Sequence, residues 1–280
     1  PRIFPALLRL SVTLLLLALP LTAQPSRIDT VSPGPGPAVD PDLLLRQAFG
    51  AEIQGQLVEA LKLYQQYFAT GQESAHARAS AGRLLVRGRN FDDALGEVDR
   101  AIELDPADSE YAVLKAEILR SAGRSAESRG FLESVLLRYP DDPGIEFMLG
   151  ETNYESENFG RSRLHHSQVL FHLKRGGAQT PVYRSISLWR LSGLYFRADE
   201  AGRAEEYLKQ YLRYNPGRHY ARFLLADTIY YRQGRYEESH AQLEQVLRAD
   251  PKLLLEQNID LVRAYALLVR TRYYLRHPRF

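Results

Sequence analysis

The chain has 280 residues and no cysteine, which excludes disulfides, thiol catalysis, cysteine-ligated metals and a lipid-bearing cysteine. Lysine and arginine number 36 against 34 acidic residues, a formal net charge of +2. That near balance hides a separation. Residues 24–160 hold 13 basic and 23 acidic residues, a net of −10, whereas residues 161–280 hold 21 and 11, a net of +10.

The chain opens with Pro1-Arg2-Ile3-Phe4 and Arg9, followed by an apolar run over 10–21 and then Thr22-Ala23-Gln24. A basic start, a short apolar stretch and small residues near its end describe a secretory signal peptide. Residues 1–23 are therefore expected to be removed after Ala23, leaving a periplasmic or secreted protein. The alternative is an uncleaved inner-membrane anchor, since residues 7–23 reach the lower edge of a spanning helix. Residues 24–40 carry Pro33-Gly34-Pro35-Gly36-Pro37 and read as an extended linker. A bacterial cell envelope suits this combination.

From Pro41 a 34-residue rhythm takes over. Repeats start at Pro41, Ala75, Ser109 and Pro143, then near Ser185 and at Tyr220. Small residues recur where two helices must approach closely: Gly82, Ala116, Gly150 and Ser192 on the first helix of a repeat, and Ala60, Ala94, Ser128, Ser162, Ala204 and Ser239 on the second. A bulky side chain at these places would push the helices apart and lose dispersion contacts along their length. Gly55, Gly123 and Gly234 occupy the turn between helices, where a left-handed residue ends the first. Pro106, Pro140, Pro216 and Pro251 follow the second helix, where proline stops propagation. The fourth repeat overruns by about eight residues through Gly176-Gly177 to Pro181, and the fifth has Asp199 at the turn with Gly202 three residues late. A fixed period near 34 with such matched positions is the signature of an α-solenoid. Residues 254–280 then read as a capping helix with a basic tail.

These residues resemble the tetratricopeptide repeat family over roughly 41–253. The resemblance implies an all-α, right-handed α-solenoid of about six helix–turn–helix repeats plus a C-terminal capping helix. It also implies a concave groove lined by first helices, in which a partner segment lies. Carried over position by position, the groove holds Arg83 from the second repeat and Arg120 from the third. The fourth gives Phe147, Glu151 and Tyr154, the fifth Trp189 and Phe196, and the sixth Tyr231. Trp189 is expected to project into it with Tyr154, Phe196 and Tyr231 as neighbours, or else to pack between repeats. The run from Tyr139 to Tyr154 is also similar to periplasmic repeat proteins associated with the Tol–Pal system and outer-membrane assembly. The anchoring cysteine and the coiled coil found there are both missing here, so no such role is carried over.

No catalytic constellation is visible. His165 and His166 are adjacent, which points them to different helix faces, and no metal-ligand spacing can be assembled with His172. Acidic pairs such as Asp92-Asp93 and Glu237-Glu238 begin second helices, where they favour the helix dipole. The expectation is a non-enzymatic scaffold with no cofactor, no metal and no nucleic-acid partner, binding a protein or peptide segment. The alternative is an accessory subunit of an envelope polysaccharide synthesis or export machine, or of outer-membrane assembly, docking through its oppositely charged ends. The arginines of the last 20 residues lie beside Tyr273 and Tyr274 and point to an acidic polymer or a membrane surface. The oligomeric state is left open.

Overall fold

A computed structural model describes residues 40–175 and 180–277. The expected signal segment, nearly all of the linker and the last three residues lie outside the described residues, as does the Gly176-Gly177 pair. The described residues form helices throughout, with no strand, and they divide into two compact units, one ending at Phe131 and one beginning at Leu132.

In the first unit, helices α1 (Pro41–Ile53) and α2 (Leu57–Ala69) form one pair and α3 (Ala75–Arg87) and α4 (Phe91–Leu104) the next. α5 (Ser109–Ser121) follows, and α6 (Ser125–Val135) runs across the boundary between units. The second unit pairs α7 (Pro143–Glu155) with α8 (Phe159–Lys174), and α9 (Pro181–Arg197) with α10 (Ala201–Tyr214). α11 (His219–Leu224) continues as a π-helical turn over Leu225–Tyr231 and packs on α12 (Tyr236–Leu247). Two helices close the unit, α13 (Pro251–Glu256) and α14 (Leu261–Arg276).

The helix starts have local causes. Asp40, Ser74, Asp108 and Asp142 each accept a backbone N–H of the helix that follows, satisfying donors that have no partner in the first turn. Pro41 and Pro143 stand at first helical positions, where their missing N–H is harmless. The turns between paired helices all use the left-handed region. Gly55, Gly123 and Gly234 have φ of 73°, 77° and 73°, and Arg89, Glu157 and Asp199 adopt φ of 61°, 58° and 60° at the corresponding places. Asp199 thus makes the turn itself, and Gly202 lies inside α10.

Close approach explains the small residues. Ala60, Ala94, Ser128, Ser162, Ala204 and Ser239 are all fully buried. A Cβ added to Gly82 would lie 2.7 Å from Val98 Cγ2. In three repeats the serine hydroxyl reaches across the pair and donates to a carbonyl of the first helix: Ser128 to Ala116, Ser162 to Gly150 and Ser239 to Ala226, each at 2.9 Å. Around these contacts Leu61, Tyr64, Leu84 and Ile118 fill the first unit. Leu191, Leu208, Leu225 and Ile229 form one core of the second unit, and Phe223, Leu243, Leu254 and Leu267 another.

Two expectations change. The overrun of the fourth repeat is taken up largely by longer helices: α8 has 16 residues and α9 has 17, starting at Pro181 rather than near Ser185. The terminal segment is two helices, not one. Asn258 turns the chain at φ 59°, and Asp260 caps the start of α14 by accepting from the Arg263 N–H.

Candidate partner-binding surface

The first unit places Arg83 on α3 and Arg120 near the end of α5, both half-buried. Arg83 acts electrostatically on Tyr64, Tyr111 and Glu117. Burial pushes the Glu117 carboxyl above its ordinary range, and the charges of Arg120 and Arg83 oppose that push. The Tyr64 hydroxyl donates to Glu52 Oε2 at 2.7 Å. Burial and this carboxylate hold the phenol well above its usual range. First helices of this unit therefore present a polar face of mixed charge.

In the second unit the six candidates fall into three clusters. Phe147 and Glu151 are not on an open surface: they are 3% and 0% exposed. Phe147 stacks on Tyr183 with centroids 4.5 Å apart and meets the His166 ring edge-on. Glu151 is bound by Arg190, whose Nε donates to Oε1 at 2.7 Å and whose Nη2 donates to Oε2 at 2.8 Å. The placement differs from the expected groove because α9 lies against both α7 and α8, and its Arg190 satisfies the carboxylate inside the unit.

His166 completes this cluster. Its Nδ1 is 3.1 Å from Ser187 Oγ, and its Nε2 is 3.4 Å from Glu151 Oε1. The ring lies flat on α7, so that a Cβ on Gly150 would stand 2.8 Å from it. Burial holds the imidazole below its ordinary value, working against the attraction of Glu151. Burial works to raise the Glu151 carboxyl, but Arg190 and His166 outweigh it and hold the group well below the usual carboxylate range. His165 turns the other way, to Glu146 Oε2 at 2.7 Å. Among the described residues no group of three His, Cys, Asp or Glu side chains could hold a metal ion.

Tyr154 belongs to the edge of this cluster. It is half-buried, with the Arg190 guanidinium 4.1 Å from its ring centre and Phe159 edge-on. Trp189, also half-buried, has Tyr211 of α10 at 5.4 Å and Tyr220 of α11 at 6.2 Å. These two rings belong to its own helix pair and to the following one. Phe196 packs partly buried against the same core. Tyr231, the last residue of the π-helical turn, sits with Tyr236 and Tyr274.

Models of the tetratricopeptide repeat match residues 45–109, 79–143 and 195–268, together more than half of the sequence. The chain belongs to the tetratricopeptide repeat family. Solved structures agree on the fold. The C-terminal part of a TPR repeat-containing protein from Cytophaga hutchinsonii is 14% identical, with a TM-score of 0.60 over 77% of this chain and 86% of that one. A tetratricopeptide repeat protein from Parabacteroides merdae gives 13% identity and a TM-score of 0.56 over 83% and 98%. MamA from Desulfovibrio magneticus RS-1 gives 15% and 0.51 over 63% and 96%. At such identities the likeness is one of fold. No curated protein matches this chain. Tetratricopeptide repeats are protein-interaction scaffolds and are typically non-catalytic.

Arg190, Ser187 and Tyr183 went unnoticed in the sequence. Arg190 lies 39 residues beyond Glu151, and nothing in a 34-residue period pairs those two positions.

Proposed function

We propose that this chain is a non-enzymatic scaffold of the bacterial cell envelope that binds a protein or peptide segment against first-helix side chains. The observation that carries the reading is the state of four aromatics in the second unit. Tyr154, Trp189, Phe196 and Tyr231 are only partly buried, while neighbours such as Arg190, Tyr211 and Tyr236 already fix three of the rings. Large rings held in place lose little entropy on binding, and such residues anchor interfaces. The envelope setting rests on the basic and apolar character of residues 1–23.

Two measurements test this. Fractionation of the producing cell, with N-terminal sequencing, should find the chain in the envelope fraction starting at Gln24; cytosolic recovery with residues 1–23 intact would overturn the setting. An envelope pull-down should retain a partner on the wild type and lose it on a Tyr154→Ala/Trp189→Ala variant with unchanged circular dichroism. Equal recovery by both would overturn the surface.

A further inference from the structure

α14 is a sixteen-residue helix with two unlike faces. One is buried: Ala264, Leu267 and Thr271 face inward, and Thr271 Oγ1 lies 3.0 Å from His240 Nδ1 of α12. The other leaves large apolar and aromatic side chains in solvent, with Val262 81% exposed, Tyr265 52%, Val269 67% and Tyr273 59%. Their spacing of three, four and four residues aligns them in one stripe along the helix. A contiguous stripe of this length along one helix marks an interaction surface.

Charge narrows the occupant. α14 carries four arginines and no acidic residue. Arg263 is spent on Asp227, and Arg270 bears on Tyr231. Arg272 and Arg276 are exposed and, among the described residues, make no ion pair. On the helical wheel both fall on the Tyr265 edge of the stripe. The helix is too short and too charged to cross a bilayer, and among the described residues no helix could. A second copy of the same face would bring two arginine sets together with no acid on either helix to offset them. A lipid surface rich in anionic headgroups supplies both halves of the match: phosphates for the guanidinium groups, and an apolar boundary for valine and tyrosine, which favours that depth.

We propose that α14 docks this protein on an anionic lipid surface, lying in the interfacial plane with Val262, Tyr265, Val269 and Tyr273 inward and Arg272 and Arg276 on headgroup phosphates. This goes beyond the partner-binding reading and does not depend on it, since none of the groove candidates lies on α14.

The test is co-sedimentation of the full chain with vesicles of phosphatidylglycerol and phosphatidylcholine in equal parts, against phosphatidylcholine alone. The apolar run over 10–21 is common to all variants, so the difference between variants is the readout. Each arginine near an anionic surface strengthens binding about fivefold. Arg272→Gln/Arg276→Gln should therefore weaken binding about 25-fold. Val262→Ser/Val269→Ser should weaken it as well. Both variants should keep the wild-type melting curve, because the altered side chains are exposed. Binding to the mixed vesicles should exceed binding to phosphatidylcholine, and 1 M salt, with a Debye length of about 3 Å, should remove the excess. Equal binding by wild type and both variants would overturn the proposal, as would a lack of anionic preference. So would a concentration-dependent dimer that the same substitutions abolish, since a second copy would then be the occupant.

Discussion

Arg190→Leu should unfold the second unit more readily than almost any other single change in it. Glu151 is fully buried, and Arg190 supplies two charge-assisted hydrogen bonds to its carboxylate at 2.7 and 2.8 Å. Removing one partner of such a pair strands the other charge away from water, which costs about 3–5 kcal/mol. For a chain of this size that corresponds to a fall in melting temperature of about 6–20 °C. Glu151→Leu should be comparably damaging, because it removes the buried carboxylate that accepts both of those hydrogen bonds. The double substitution removes both charges and should recover most of the loss, since a buried pair replaced by well-packed apolar residues is often neutral. The chain contains one tryptophan, Trp189, directly before Arg190, so urea unfolding followed by its fluorescence reports on this unit. A loss below about 1 kcal/mol for Arg190→Leu, or a double variant as unstable as the two losses added, would refute the reasoning.

Arg89→Gly and Glu157→Gly should each stabilise the chain by about 0.5 kcal/mol in a urea titration, because glycine relieves the left-handed strain at φ near 60° but has more freedom to lose on folding. Ser239→Ala should lose about 0.5–1.5 kcal/mol, the worth of one buried hydrogen bond to the Ala226 carbonyl. Acid should weaken the second unit in two stages. His166 has a folded pKa below its ordinary 6.5, so its contribution is complete above that pH and declines as the unfolded chain takes up a proton that the fold refuses. Between pH 7.5 and pH 5 the decline should reach at most about 2 kcal/mol, and His166→Asn should flatten it. Glu151, with its pKa depressed, adds a second decline below about pH 4.5.

The fold class was legible because tetratricopeptide packing leaves its mark at every repeat. Small residues at Ala94 or Ser162 are required wherever two helices touch, and that need recurs along the chain. The turn glycines were equally legible, since only glycine adopts φ near 75° without strain. Arg89 and Glu157 at the same turns were not, because nothing in an arginine or glutamate side chain marks a left-handed backbone. The candidate surface was harder to read. Period and position put Phe147 and Glu151 on a first helix but say nothing of what lies over them. That is decided by Tyr183 and Arg190 on α9, a helix four residues longer than α7 at 17 against 13. Trp189 illustrates the same limit: its neighbours Tyr211 and Tyr220 depend on how α9 is rotated against α10 and α11. The split of the terminal segment at Asn258 carried a faint signal in Gln257-Asn258 before Asp260, a turn residue followed by a capping residue.

Site-specific photo-crosslinking in the producing cell tests the central claim most directly. A benzoylphenylalanine at Tyr154 or Tyr231 would report on the proposed surface, and one at Leu164, 55% exposed on the second helix α8, would serve as the reference. The account predicts a discrete adduct at Tyr154 and Tyr231 and none at Leu164. An adduct at Leu164 alone, or none at any position, would contradict it.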